Sequence, residues 1–225
     1  MESADDSSDG VFDARVAALR REYTTRGLDD GDLDPDPIAQ FRIWFDQARD
    51  AGLLEPNAMT LATADAKGRV TARAVLLKAY DERGFVFFTN FGSRKCMQIA
   101  ENPHAALHFL WLPLERQISI SGRAERISSA ESLAYFMSRP VGSRVGAWVS
   151  DQSRVISSRK LLEIKFHEMM EKFRDGKVPL PDFWGGIRIV PDEVEFWQGG
   201  ANRLHDRFLY TSQPAGGWQI GRLQP

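Results

Sequence analysis

The sequence predicts an α+β fold that is mainly antiparallel β, with helices on its flanks. Three features carry that expectation. Between residues 58 and 127, five short segments, several rich in Val, Ile, Leu and Phe, are separated by brief turn-like pieces. Ile118-Ser-Ile-Ser121 alternates apolar and polar side chains with the period of a half-buried strand. Two stretches upstream, at 11–26 and 38–51, carry helical spacing instead.

Residues 1–10 are rich in Asp and Ser and read as a disordered tail. In 11–26, Phe12, Val16, Leu19 and Tyr23 recur every three or four residues, and Gly27 is a plausible helix stop. A loop of Asp, Gly and Pro covers 29–37. The second helix, 38–51, has the apolar stripe Ile38, Phe41, Trp44, Phe45 and Ala48. Strands are then expected at 58–64, 70–80, 85–90, 105–112 and 117–127. Asp65-Ala-Lys-Gly68, Asp81-Glu-Arg-Gly84 and Asn102-Pro103 mark turns between them. Such short connections favour antiparallel pairing, and closing the sheet would hide its edges. Helices are expected at 93–101, at 128–138 with Ser129 as its cap, and at 153–173. Final strands are expected at 184–190, 194–198, 207–211 and 218–223. With no repeat and no linker, residues 11–225 read as a single domain.

A chain of 225 residues can bury most of its unfolded surface without staples. Its 29 basic and 31 acidic residues argue against a general nucleic-acid binder but leave room for a local basic pocket. The lone Cys96 makes neither an internal disulfide nor a multi-cysteine metal site, which suits a reducing compartment. No apolar run approaches the ~20 residues of a membrane helix. The acidic start does not read as a secretory signal, so the cytoplasm is the default. There is no GxGxxG, no Walker loop and no GxSxG elbow. His167-Glu-Met-Met-Glu171 lacks the second imidazole of a zinc helix, and His104 and His108 have no evident third ligand, so no metal is expected.

Three constellations remain. In a strand, Arg73, Val75 and Leu77 would face one way and Ala74, Leu76 and Lys78 the other. A bulge or strand end could bring Arg73 and Lys78 toward neighbouring pockets; solvated strand ends are the plainer account. Phe88-Thr-Asn-Phe-Gly-Ser-Arg-Lys95 reads as strand, turn and helix start. A helix start offers free N–H groups to an anion, although an ordinary capped helix with exposed cations fits equally. The third is Trp197-Gln-Gly-Gly200-Ala-Asn-Arg203-Leu-His-Asp-Arg207. If extended, it would put Arg203, His205 and Arg207 on one face, an arrangement that asks for an anion.

These motifs fall in a fixed order with Ser138-Arg-Pro140, Gly146-Ala-Trp148 and Gln152-Ser153. The ordered set resembles the pyridoxine 5′-phosphate oxidase family, from Arg20-Arg-Glu-Tyr23 to Arg222-Leu-Gln-Pro225. The Arg203-Leu-His-Asp-Arg207 ending separates that family from other flavin split barrels. The resemblance implies a split β-barrel homodimer with FMN at the subunit interface. It implies oxidation of pyridoxine or pyridoxamine 5′-phosphate by O2 to pyridoxal 5′-phosphate and peroxide, with ammonia from the amine.

The family's FMN contacts carry over to Arg73, Ala74, Val75, Leu76, Leu77, Lys78, Phe88, Thr89, Arg94, Lys95, Gln117, Gln152, Ser153, Trp197 and Arg207. Its substrate contacts carry over to Lys78, Tyr135, Arg139, Ser143, Arg203, Leu204 and His205, with Arg20, Arg21, Glu22 and Tyr23 as a mobile flap. By the same resemblance, Arg203 and His205 orient the substrate over the flavin. Phe88 stands where the family often has Tyr. A flavin reductase of the same fold and a non-catalytic flavin- or pyridoxal-phosphate-binding protein are the competing readings.

Overall fold

The computed structural model describes residues 22–23 and 27–225. The tail at 1–10 and most of the helix expected at 11–26 lie outside them. Nine strands form one antiparallel sheet: β1 (Ala58–Ala64), β2 (Val70–Leu76), β3 (Ala79–Asp81), β4 (Gly84–Asn90), β5 (His104–Trp111), β6 (Arg116–Arg126), β7 (Trp184–Gln198), β8 (Asp206–Ser212) and β9 (Trp218–Leu223). Their order is β2-β1-β5-β6-β7-β4-β3, with β8 added along β7 and β9 along β8. The sheet curls until β2 approaches β4, giving the expected split β-barrel.

Helix α1 (Pro37–Asp50) packs on the barrel. Asp36 caps it by accepting from the Ile38 N–H at 3.0 Å, and Pro37 suits the first turn. Its buried stripe is Ile38, Phe41, Trp44 and Ala48. The Phe41 ring lies 4.9 Å from that of Phe85 and 5.2 Å from that of Phe109, edge-on or tilted, and Trp44 meets Phe196 edge-on at 5.2 Å. This aromatic wedge is the main core. Among the described residues no helix is long and apolar enough to cross a membrane.

Helices α2 (Arg94–Glu101), α3 (Ser129–Ser138), α4 (Val141–Val149) and α5 (Arg159–Lys172) lie in the connections. Phe136, Val145, Phe173, Val178 and Trp184 form a second, smaller core among the last three and β7.

Several elements differ from expectation. The cap of α3 is Ser128, not Ser129; Ser128 and Glu131 make a reciprocal capping box. The helix expected at 153–173 starts only at Arg159, since Ser153 is left-handed at φ 71° and Ser158 is extended. Helix α4 was hidden by Gly142 and Gly146, which weaken helical propensity. The strand expected at 70–80 breaks after Leu76, and Leu77 turns into the core at 4% exposure.

The strands expected at 184–190 and 194–198 are one strand, β7. Pro191 reads as a break because it has no N–H. It falls at a register shift against β6, where ladder hydrogen bonding is already interrupted. Gly122 opposite is needed there, since a Cβ would meet the Val190 carbonyl oxygen at 2.1 Å.

Candidate functional site

A cavity of about 810 Å³ opens between the edge of the barrel and the small helical core. Strand β2 contributes Arg73, Ala74, Val75 and Leu76, and the residue chain turns past Leu77 so that Lys78 lines the same space. The alternation expected to separate Arg73 from Lys78 therefore ends with β2. The end of β4 supplies Phe88 and Thr89, the start of α2 supplies Arg94 and Lys95, and the 150–153 loop supplies Gln152 and Ser153. Tyr135 and Arg139, at and just past the end of α3, and Ser143 of α4 complete the wall among the residues expected from sequence.

The electrostatics are those of an anion site. Lys95 is only 8% exposed, and its Nζ donates to Thr89 Oγ1 (3.0 Å), Ser93 Oγ (3.3 Å) and Gln152 Oε1 (2.8 Å). Arg73 donates from Nη1 to Leu61 O (3.2 Å) and Thr63 Oγ1 (2.7 Å), and from Nη2 to Thr71 Oγ1 (2.5 Å) and Gln98 Oε1 (3.5 Å). Every one of these partners is neutral. Burial lowers the pKa of Lys95, and the nearby Arg73 charge lowers it further. Burial, then Arg94, lowers that of Arg73. A buried cation held only by neutral dipoles is stabilised when an anion joins it.

The second cationic group has an aromatic floor. Tyr135 stacks on Phe88 at 3.9 Å, Phe88 stacks on Trp184 at 5.3 Å, and the Arg139 guanidinium lies 4.9 Å from the centre of the Trp184 ring. Phe88 thus uses the face of its ring, which a tyrosine at that place would share. Arg139 Nη1 is buried with no hydrogen-bond partner among the described residues. Burial pushes the Tyr135 hydroxyl up and the Arg139 guanidinium down. Tyr135 and Arg139 share one side of the helix end, as their spacing of four predicts.

The remaining sequence-derived residues lie elsewhere. Gln117, Trp197 and Arg207 stand side by side across β6, β7 and β8. Arg207 is paired with Glu195 at 2.8 Å, which raises its pKa. The His205 ring lies 4.6 Å from Trp197 and 5.7 Å from Tyr23, so Tyr23 belongs to this group, where Glu22 is exposed. Arg20 and Arg21 lie outside the described residues.

The Gly200 N–H donates to His205 Nδ1 at 3.1 Å. An N–H can only donate, so the neutral ring carries its proton on Nε2. The segment is not extended. Asn202 and Arg203 are both left-handed, at φ 55° and 62°, inside a single helical turn, and Arg203 and Leu204 are exposed. Leu204 and His205 border a separate cavity of about 330 Å³ with Arg222 and the chain end.

Sequence reasoning missed Trp184 and Asn90 as cavity residues. Asn90 Oδ1 accepts from the Gly92 N–H at 2.7 Å, and its Nδ2 donates to Ser150 O at 3.0 Å, tying the two loops of the wall together. The Asn-x-Gly spacing is the signal that could have found it. Trp184 had no local signal.

The family model described as pyridoxamine 5′-phosphate oxidase matches residues 45–173, and one described as the pyridoxine 5′-phosphate oxidase C-terminal dimerisation region matches residues 184–225. A protein of Rippkaea orientalis named pyridoxine/pyridoxamine 5′-phosphate oxidase is 60% identical over 210 residues, covering 93% of this chain and 99% of the relative. One of the same name from Crocosphaera subtropica is 61% identical over 212 residues, with the same coverages. The crystal structure of PhzG from Burkholderia lata 383, in complex with tetrahydrophenazine-1-carboxylic acid, superposes with a TM-score of 0.84 at 30% identity. It covers 90% of this chain and 100% of PhzG.

Proposed function

The chain belongs to the pyridoxine/pyridoxamine 5′-phosphate oxidase family, and from that premise we propose that it makes pyridoxal 5′-phosphate with FMN as its cofactor. It is an oxidoreductase of vitamin B6 metabolism. With the alcohol substrate, one O2 gives the aldehyde and one H2O2. With the amine, water also enters and ammonia leaves. FMN, when bound, supplies the acceptor for the hydride from C4′ and the route of electrons to oxygen.

The observation that carries this reading is a cavity with two cationic groups held without a counter-carboxylate among the described residues. Arg73, Arg94 and Lys95 suit the phosphate of the cofactor. Lys78, Tyr135, Arg139 and Ser143 suit the phosphate of the substrate, with Arg139 Nη1 already buried and without a hydrogen-bond partner among the described residues. Ala74, Val75 and Leu76 offer backbone and apolar side chains along the ring between them.

Arg203 and His205 orient the substrate in this reading, with His205 presenting Nε2–H as a donor. Trp184 lines the cavity and Trp197 stands beside His205, and they lie near opposite ends of β7, roughly 40 Å apart along a straight strand at about 3.3 Å per residue. In this reading the two groups come together across a homodimer, the Trp197–Arg207 face of one copy lying over the cavity of the other. The match to a dimerisation region over 184–225 supports that arrangement. The reading treats 11–225 as one FMN-binding split-barrel domain behind a tail of 1–10, working in the cytoplasm.

The test loads the purified protein with FMN and mixes it with pyridoxine 5′-phosphate in air. Pyridoxal 5′-phosphate and peroxide are expected in equal amounts. Flavin bound without aldehyde formation would move the reading to another reaction of the same barrel, such as nicotinamide-driven flavin reduction. No flavin bound would remove the cofactor from the reading.

A further inference from the structure

We propose that Gln98 is a positioning residue for the cofactor-phosphate site: it holds the Arg73 guanidinium in place while keeping negative charge away from it. The inference rests on the flavin-phosphate reading above and adds a residue that does not line the cavity.

Gln98 lies on α2, three residues after Lys95, so the two share a helix face; both are buried, at 5% and 8% exposure. Its Oε1 accepts from the Thr63 hydroxyl at 2.6 Å and from the Thr71 hydroxyl at 2.7 Å. Each of those hydroxyl oxygens accepts from Arg73, Thr63 from Nη1 and Thr71 from Nη2. The two hydroxyls thus relay one amide oxygen to both ends of the guanidinium. The amide is oriented by its other end, where Nε2 donates to the Arg69 carbonyl at 3.3 Å. A flipped amide would set two carbonyl oxygens against each other.

With Leu61 O and Gln98 itself, this network occupies four of the five N–H donors of Arg73 and leaves Nε–H and the positive charge. A carboxylate would hold the guanidinium equally well. It would also neutralise it, and a phosphate dianion would then meet an ion pair instead of a cation. An uncharged amide on a helix that also bears Arg94 and Lys95 keeps the site positive. The physical consequence is discrimination: the network favours a flavin that carries a terminal phosphate over one that does not.

The experiment titrates apoprotein with FMN and with riboflavin, following flavin fluorescence, for the wild type, Gln98→Glu and Gln98→Met. For Gln98→Glu, FMN affinity is expected to fall roughly tenfold to a hundredfold, the scale of a lost charge-assisted contact, with riboflavin affinity unchanged. Gln98→Met should show a smaller loss, again confined to FMN, and Thr63→Val should resemble it. Parallel weakening of both flavins, unchanged FMN affinity, or loss of folding in both Gln98 variants assigns Gln98 to packing alone and overturns the proposal. A wild type that binds FMN no better than riboflavin overturns the flavin-phosphate reading itself, and the role of Gln98 with it.

Discussion

The two halves of the candidate site are built on opposite principles. At the barrel edge, Arg73 and Lys95 are enclosed, lowered in pKa by burial, and hydrogen-bonded only to neutral groups. At the far end of β7, Arg207 is neutralised by Glu195 and Arg203 is exposed on a left-handed turn. The first half is a preorganised anion receptor within one chain. The second is more open: its side chains are positioned by Tyr23, Trp197 and the Gly200 N–H, and among the described residues only a smaller cavity of about 330 Å³ borders Leu204 and His205. The difference teaches that the residues gathered by one family resemblance fall into two separate groups within one chain, and the proposed dimer is what would join them.

The strongest way to break that comparison is subunit mixing. Arg73→Ala and Arg203→Ala should each be nearly inactive alone. Random exchange of equal amounts should restore about a quarter of wild-type activity, because each mixed dimer regains one intact site of two. Mixtures that stay inactive would place both residues in the same subunit's site.

Next in size, Arg203→Ala should lower kcat/KM by roughly a hundredfold while FMN affinity is unchanged, since only the substrate-orienting half is touched. Steady-state kinetics with a flavin titration checks both parts, and unchanged kcat/KM with FMN bound would remove Arg203 from the reaction.

A smaller effect sharpens the enclosed half. In the proposed site the FMN phosphate meets the ammonium form of Lys95, and burial has lowered its pKa. FMN affinity is therefore full below that lowered pKa and lost as pH rises through it, earlier than an ordinary lysine would allow. Lys95→Arg should flatten the profile, because a guanidinium does not titrate there. An equal slope in both proteins would assign the pH dependence to another group.

The smallest expected change is Ser128→Ala. Loss of the α3 cap costs about 1 kcal/mol and should lower the melting temperature, with KM for the phosphorylated substrate rising slightly as Tyr135 and Arg139 loosen. FMN affinity unaltered alongside a raised KM would separate the two cationic groups of the cavity.

Much of the fold follows from local signals. The alternation in Ile118-Ser-Ile-Ser121, the turn at Asp65-Ala-Lys-Gly68 and the stripe of α1 each depend on residues a few positions apart, so strands and helices were readable in order. The same locality explains the failures: two strands were expected where β7 runs unbroken through Pro191, and no helix was expected over Val141–Val149, where Gly142 and Gly146 lower helical propensity. Motif order, through a family resemblance, likewise pointed to Arg73, Lys78, Arg94, Lys95 and Arg139, which line one cavity.

What only the tertiary structure decided is which of those residues meet. Curling the sheet brought β2, the end of β4 and α3 around one cavity, closed the Gln98–Thr63–Thr71–Arg73 network across α2, β1 and β2, and left His205 and Arg207 at the other end of a long strand. Sequence patterns report the period of an element and hence which face a residue takes. Which faces are then enclosed together depends on contacts between residues far apart in the chain, and those are made only when the sheet closes.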